Sequence, residues 1–221
     1  MNFGYSLLQL GEKIKKSKDD GPDFVLENKK INIECICFNR DKHLEKKYNE
    51  MFEEGIIPPD DQSLSRITSS IKTKLEDYNK WIDKKTVNIQ DPFFIAINCG
   101  SLFGLLGESE IELIYKILFG IDYKEYFDFK SKTITRIVTK GCEIKKIKDD
   151  GDPSNFKCDY FKENPQLSGV IFSFSIFNKN SYKDLILIHN PFANNKIKQG
   201  ELLFGKECVT IDNKIKIIEN Y

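Results

Sequence analysis

Between Asp91 and Gly100 the chain reads Asp-Pro-Phe-Phe-Ile-Ala-Ile-Asn-Cys-Gly. The apolar run from Phe93 to Ile97 contains no polar alternation, so a strand here must be covered on both faces. A chain holding such a strand needs a central sheet with other layers against it, which points to an α/β or α+β architecture. The polar end at Asn98-Cys-Gly100 reads as a turn.

The other periodicities supply those layers. Ile67, Ile71, Leu75, Tyr78 and Ile82 recur at helical spacing, so a long helix is expected over about 63–82, with Asp60, Asp61 or Ser63 as its N-cap. Phe3, Leu7, Leu10 and Ile14 predict an amphipathic helix over 3–16. The charged stretch 41–61, with Pro58-Pro59, reads as a helical or irregular surface excursion. Residues 108–128 read as a helix followed by an aromatic-rich segment, and 133–148 as exposed strand or hairpin. A loop is expected at 149–154. Residues 169–177 and 184–189 are strand-like, and 209–218 reads as a closing hairpin.

A length of 221 residues suits one domain. A core is expected over about 1–100 and a strand-rich extension over about 130–221. Lys plus Arg and Asp plus Glu both number 34, so net charge gives no attraction to nucleic acid or anionic membrane, and any such surface must be local. The opening apolar run is too short for a secretory signal and nothing reaches the length of a membrane span, so a cytoplasmic location is expected. Cys35, Cys37, Cys99, Cys142, Cys158 and Cys208 lack zinc-site spacing and read as reduced thiols. Alternation puts Cys35 and Cys37 on one strand face, half of a metal site at most.

Residues 23–36 read as two strands about a polar turn. A two-residue loop at Asn28-Lys29 sets Leu26 against Ile31, Val25 against Asn32, Phe24 against Ile33 and Asp23 against Glu34. Facing carboxylates repel unless a cation or a shared proton relieves them. One reading is a Mg2+ or Mn2+ ion, which such oxygen ligands suit. The other is a solvated pair in which each carboxylate bonds a nearby lysine.

Gly21-Pro-Asp-Phe24 followed by Ile33-Glu-Cys-Ile36 resembles the PD-(D/E)XK signature of the restriction-endonuclease-like superfamily. Further along, Arg66-Ile-Thr-Ser-Ser-Ile-Lys-Thr-Lys74, Ala96-Ile-Asn-Cys-Gly100 and Ile188-His-Asn-Pro-Phe-Ala193 resemble, in the same order, the motifs of a bacterial family within it. The resemblance spans roughly residues 20 to 195. It implies a mixed sheet flanked by helices and, in active members, metal-dependent cleavage of DNA or RNA, with Asp23 and Glu34 as metal ligands. The departure is Ile36, which occupies the motif's lysine position.

A replacement lysine is legible on the helical wheel. With Ile67 at zero and about 100° per residue, Lys74 falls near −20°, beside Ile67 and Tyr78, whereas Lys72 and Lys80 lie on the far side. Lys74 therefore either reaches the Asp23/Glu34 site or snorkels at the stripe's edge. Arg66 and Ser70 share that helix edge and, with Asn98 and His189, are candidates for substrate contact; each also has a capping, packing or loop-structural reading. Glu12 reads as surface on the first helix, and His43 as solvated. Three functions follow: a nuclease, a nuclease-fold binding module without catalysis, and a protein that forms homo-oligomers through exposed hairpin edges.

Overall fold

The computed structural model describes residues 3–16, 20–38, 42–54, 61–100, 110–128, 133–140, 143–147, 153–157, 159–173, 182–211 and 214–220. In chain order the elements begin with α1 (Phe3–Gln9), β1 (Ile14–Lys16), β2 (Phe24–Leu26), β3 (Ile31–Cys37) and α2 (Lys42–Glu53). Next come α3 (Asp61–Asp83), β4 (Phe93–Asn98), α4 (Glu110–Phe119), β5 (Ile121–Asp128) and β6 (Thr133–Lys140). Then follow β7 (Glu143–Ile147), β8 (Pro153–Lys157), α5 (Tyr160–Glu163) and β9 (Gly169–Ser173). A 3-10 turn (Tyr182–Asp184), β10 (Ile186–His189), β11 (Lys206–Ile211) and β12 (Lys214–Glu219) close the series.

The chain forms two compact units, and it is a mixed α+β protein. The first unit comprises residues 1–40, 70–102 and 164–221. It holds a mixed eight-stranded sheet in the order β1-β2-β3-β4-β9-β10-β11-β12. The strand-rich C-terminal segment is thus not an appendage to the N-terminal strands: β9 pairs in parallel with β4 and carries the same sheet onward. The sheet is parallel where β3, β4 and β9 meet and where β10 meets β11, and antiparallel elsewhere. In β4 every residue is buried, as a strand covered on both faces must be.

Pleating assigns each layer its residues. Ile31, Ile33, Phe94, Ala96, Ile171 and Leu187 cluster with Phe3 and Leu7 of α1 and with Leu202 and Phe204 of the segment before β11. On the opposite face, Tyr78 of α3 stacks on Phe93 with ring centroids 4.0 Å apart. The predicted helical stripe is buried at Ile67, Ile71, Leu75 and Tyr78, and Lys72 and Lys80 are exposed, in line with the 3.6-residue period.

The second unit comprises residues 41–69 and 103–163. It contains α2, the start of α3, α4, α5 and two separate two-stranded ladders, β5-β6 and β7-β8. Tyr160 Oη donates to the Thr68 carbonyl at 3.1 Å, and Phe161 meets Phe119 edge-on.

Four local expectations need correction. The first helix stops at Gln9, because Gly11 takes a left-handed φ of 74° and Ile14 to Lys16 pair with β2 instead. The hairpin loop is not Asn28-Lys29. Lys29 N–H bonds the Leu26 carbonyl at 3.2 Å and Lys30 takes φ 53°, giving a four-residue turn. Two residues more in the loop, one on each side, leave the register unchanged, so Phe24 still faces Ile33 and Leu26 faces Ile31. The proposed 149–154 loop ends early, since Pro153 and Ser154 open β8; a proline is tolerated as a strand's first residue. Glu12 is not on a helix: its carboxylate pairs with Lys29, and only 10% of its side chain is exposed. Residues 149–152 and 174–177 and the side chain of His43 lie outside what is described.

Candidate functional site

Asp23 stands one residue before β2, and Glu34 sits in the middle of β3. The two are joined by reciprocal side-chain-to-backbone bonds. Asp23 N–H donates to Glu34 Oε2 at 3.1 Å, and Cys35 N–H donates to Asp23 Oδ2 at 2.8 Å. Each carboxylate thereby caps the other strand where the ladder ends.

Glu34 shares its face of β3 with Asn32 and Ile36, the face that α3 covers. From α3, Lys74 Nζ donates to Glu34 Oε1 at 2.5 Å. Lys74 lies one helical turn before Tyr78, whose stacking on Phe93 fixes the rotation of the helix over the sheet. Stem burial beside Ile71 and Tyr78 with the ammonium carried to an acid is how a lysine in an apolar stripe is accommodated. Ile36, at the position of the motif lysine, is 7% exposed and belongs to the core.

The electrostatics follow from burial and proximity. Loss of solvation raises the Glu34 carboxyl above its ordinary value and the Asp23 charge adds to this, against the opposing pull of Lys74. Burial alone would lower Lys74, but its bond to Glu34 and the charges of Glu34, Asp23 and Asp77 outweigh that and raise it. The ammonium is therefore firmly protonated at neutral pH. Burial, with both carboxylates nearby, pushes the Cys35 thiol upward.

A cleft of about 410 Å3 opens on the α1 side of the sheet, beside Asp23. Its walls include Phe3, Gly4, Lys16, Phe24, Cys35, Cys37 and Asn98. Lys16 is exposed on β1, directly across from Phe24. Asn98 ends β4 and accepts from Gly100 N–H through Oδ1 at 2.9 Å, the turn expected there.

The remaining candidates are placed differently. Ser70 is half-buried one turn before Lys74, and Arg66 belongs to the second unit. His189, at the end of β10, is separated from β3 by β4 and β9, about 14 Å across the sheet. Its Nε2 lies 2.5 Å from Glu207 Oε1. Glu207 is fully buried and also accepts from Gly200 N–H at 3.0 Å. Glu207 escapes sequence reading because the hairpin pattern begins at Val209, after it. An isolated acid beside an apolar strand, with a lone histidine ending another, is the available signal.

A divalent cation fits the donor chemistry of Asp23 and Glu34, two hard-oxygen carboxylates on adjacent chain segments. Mg2+ and Mn2+ take only one or two protein carboxylates and complete their shell with water and phosphate. Among the described residues, no group of three or more His, Cys, Asp or Glu side chains is placed to hold a metal. No helix among them is long and apolar enough to cross a membrane. No family model, curated protein or solved structure matches this chain.

Proposed function

We propose that this chain is a Mg2+- or Mn2+-dependent nuclease on a PD-(D/E)XK-like core, with Asp23 and Glu34 as metal ligands and Lys74 in the role of the lysine missing at Ile36. The observation that carries this reading is the 2.5 Å contact between Lys74 Nζ and Glu34 Oε1, made across 40 residues of sequence. The motif's acid, acid and lysine are then assembled from the residue before β2, from β3 and from α3.

A bound cation supplies a water of lowered pKa and positive charge at the phosphodiester. The chain's own groups do the rest. Cys35 N–H holds Asp23 Oδ2, fixing one carboxylate against the strand. Lys74 orients Glu34 through its 2.5 Å bond and offsets part of what burial costs the Glu34 charge, and its ammonium is the group offered to negative charge that develops on the phosphate during attack. The mixed sheet around β3 and β4, with α3 on one face, supports the restriction-endonuclease-like core of this proposal.

Incubation of DNA and RNA with Mn2+ tests the proposal. The wild type is expected to cleave at least one of them, and Asp23→Asn is expected to lose about two to three orders of magnitude in rate. Equal rates for both proteins, or no cleavage of any nucleic acid, would sink it. A nuclease-fold binding module without catalysis is the second reading. It is favoured by the fact that both Glu34 oxygens already have donors, Lys74 and the Asp23 amide. Calorimetry showing no heat of Mn2+ binding would select it.

A further inference from the structure

The nuclease reading leaves open what form of nucleic acid approaches Asp23, and the cleft on the α1 side bears on this. Its volume, about 410 Å3, lies toward the lower end of the roughly 300–1,000 Å3 of small-ligand sites. That is room for a nucleotide, not for a stacked duplex, in which each base is held between its neighbours.

The wall chemistry is sorted in the way a nucleotide requires. Lys16 contributes an exposed ammonium. Asn98, whose Oδ1 accepts from Gly100 N–H at 2.9 Å, brings an amide that also carries two N–H donors. Lys16, Asn98 and Asp23 line the same cleft. The half-buried ring of Phe24 forms an apolar wall, backed by Phe3 at 6.1 Å between centroids. Gly4 permits this arrangement, because a Cβ there would come within 3.1 Å of the Phe24 ring.

Resting on the nuclease reading, we propose that this cleft seats one nucleotide of a single strand. Lys16 and Asn98 contact its phosphate, and the base lies against Phe24. Single-stranded DNA or RNA, or the frayed end of a duplex, is then the substrate class. Lys16 is a substrate-positioning residue that neither the motif nor the helical wheel singles out.

The test uses the full chain without metal, so that binding is read apart from cleavage. Labelled oligo-dT, oligo-U and an oligo-dT·oligo-dA duplex are titrated by fluorescence anisotropy. Alkylation of Cys37, exposed and in the cleft wall, is followed by peptide mass spectrometry with and without each nucleic acid. At least one single strand should bind about tenfold tighter than the duplex and slow Cys37 alkylation several-fold. Lys16→Gln should weaken that binding about tenfold and lessen its salt dependence, with an unchanged melting temperature. The DNA and RNA arms identify the sugar. Equal affinity for the duplex, an unprotected Cys37 or an unaffected Lys16→Gln overturns the proposal. Asp23-dependent cleavage with Cys37 unprotected would remove the cleft and keep the nuclease. Protected Cys37 with no cleavage in Mn2+ would do the reverse.

Discussion

Glu34 and Glu207 both lie in strands of the eight-stranded sheet, and each has a nitrogen-bearing side chain at 2.5 Å. Their surroundings differ. Glu207 is fully buried, its partner His189 is 12% exposed at the side chain, and a third group, Gly200 N–H, binds the same carboxylate. All three come from β10, β11 and the segment between them, so the pair is a local clasp closing that connection. Glu34 instead draws Lys74 from a helix 40 residues away, and the lysine keeps 31% of its side chain exposed. Its neighbour Asp23 opens onto a cleft. Glu207 is thus sealed on every side, whereas Glu34 has a second acid beside it and, next to that acid, a cleft.

That contrast can be broken most sharply at the sealed pair. His189→Ala leaves Glu207 buried with one N–H donor, a change expected to destabilise the fold by about 3–4 kcal/mol, while nucleic-acid cleavage per folded molecule stays at the wild-type level. Denaturant unfolding and specific activity measured on one preparation check both halves. A loss of activity in the folded variant would place His189 in the working site after all.

Lys74→Met keeps the aliphatic stem against Ile71 and removes the ammonium. The expected loss is smaller, about 2 kcal/mol, because the pair is partly open to water and Glu34 can take up a proton. Activity should nonetheless fall roughly 10- to 100-fold. Stability lost without activity lost would make Lys74 a structural partner of Glu34 only.

The smallest effect is the pH dependence of Glu34 in metal-free protein. Its folded-state value is raised, chiefly by burial. The fold therefore binds a proton that the unfolded chain has already released, and the contribution of Glu34 declines as pH rises from the ordinary glutamate value through the folded one. Stability of Glu34→Gln relative to wild type should climb across that window and level off above it. Lys74 has the complementary sign: its raised value gives a contribution present below the ordinary lysine value and lost only above it. Unfolding curves at a series of pH values, with chelator present, would show a flat difference if Glu34 were not desolvated.

Much of the framework was legible without coordinates. Phe93 to Ile97 demand a strand covered on both sides, and alternation with hairpin parity sets Phe24 against Ile33 whether the turn holds two residues or four. Period and register are local properties, set by backbone geometry within a few residues. The wheel put Lys74 within the apolar stripe for the same reason. It leaves two destinations for the ammonium, the Asp23/Glu34 site or solvent at the stripe's edge, and the choice depends on how α3 is rotated and seated over β3, a matter of the Tyr78–Phe93 contact. Neither the Glu207 clasp nor the place of Lys16 in the cleft could be read from spacing, since each depends on strand order. The carboxylate pair was thus determined by the sequence. Its counter-ion, its burial and the cleft beside it were decided only when distant segments packed into one sheet.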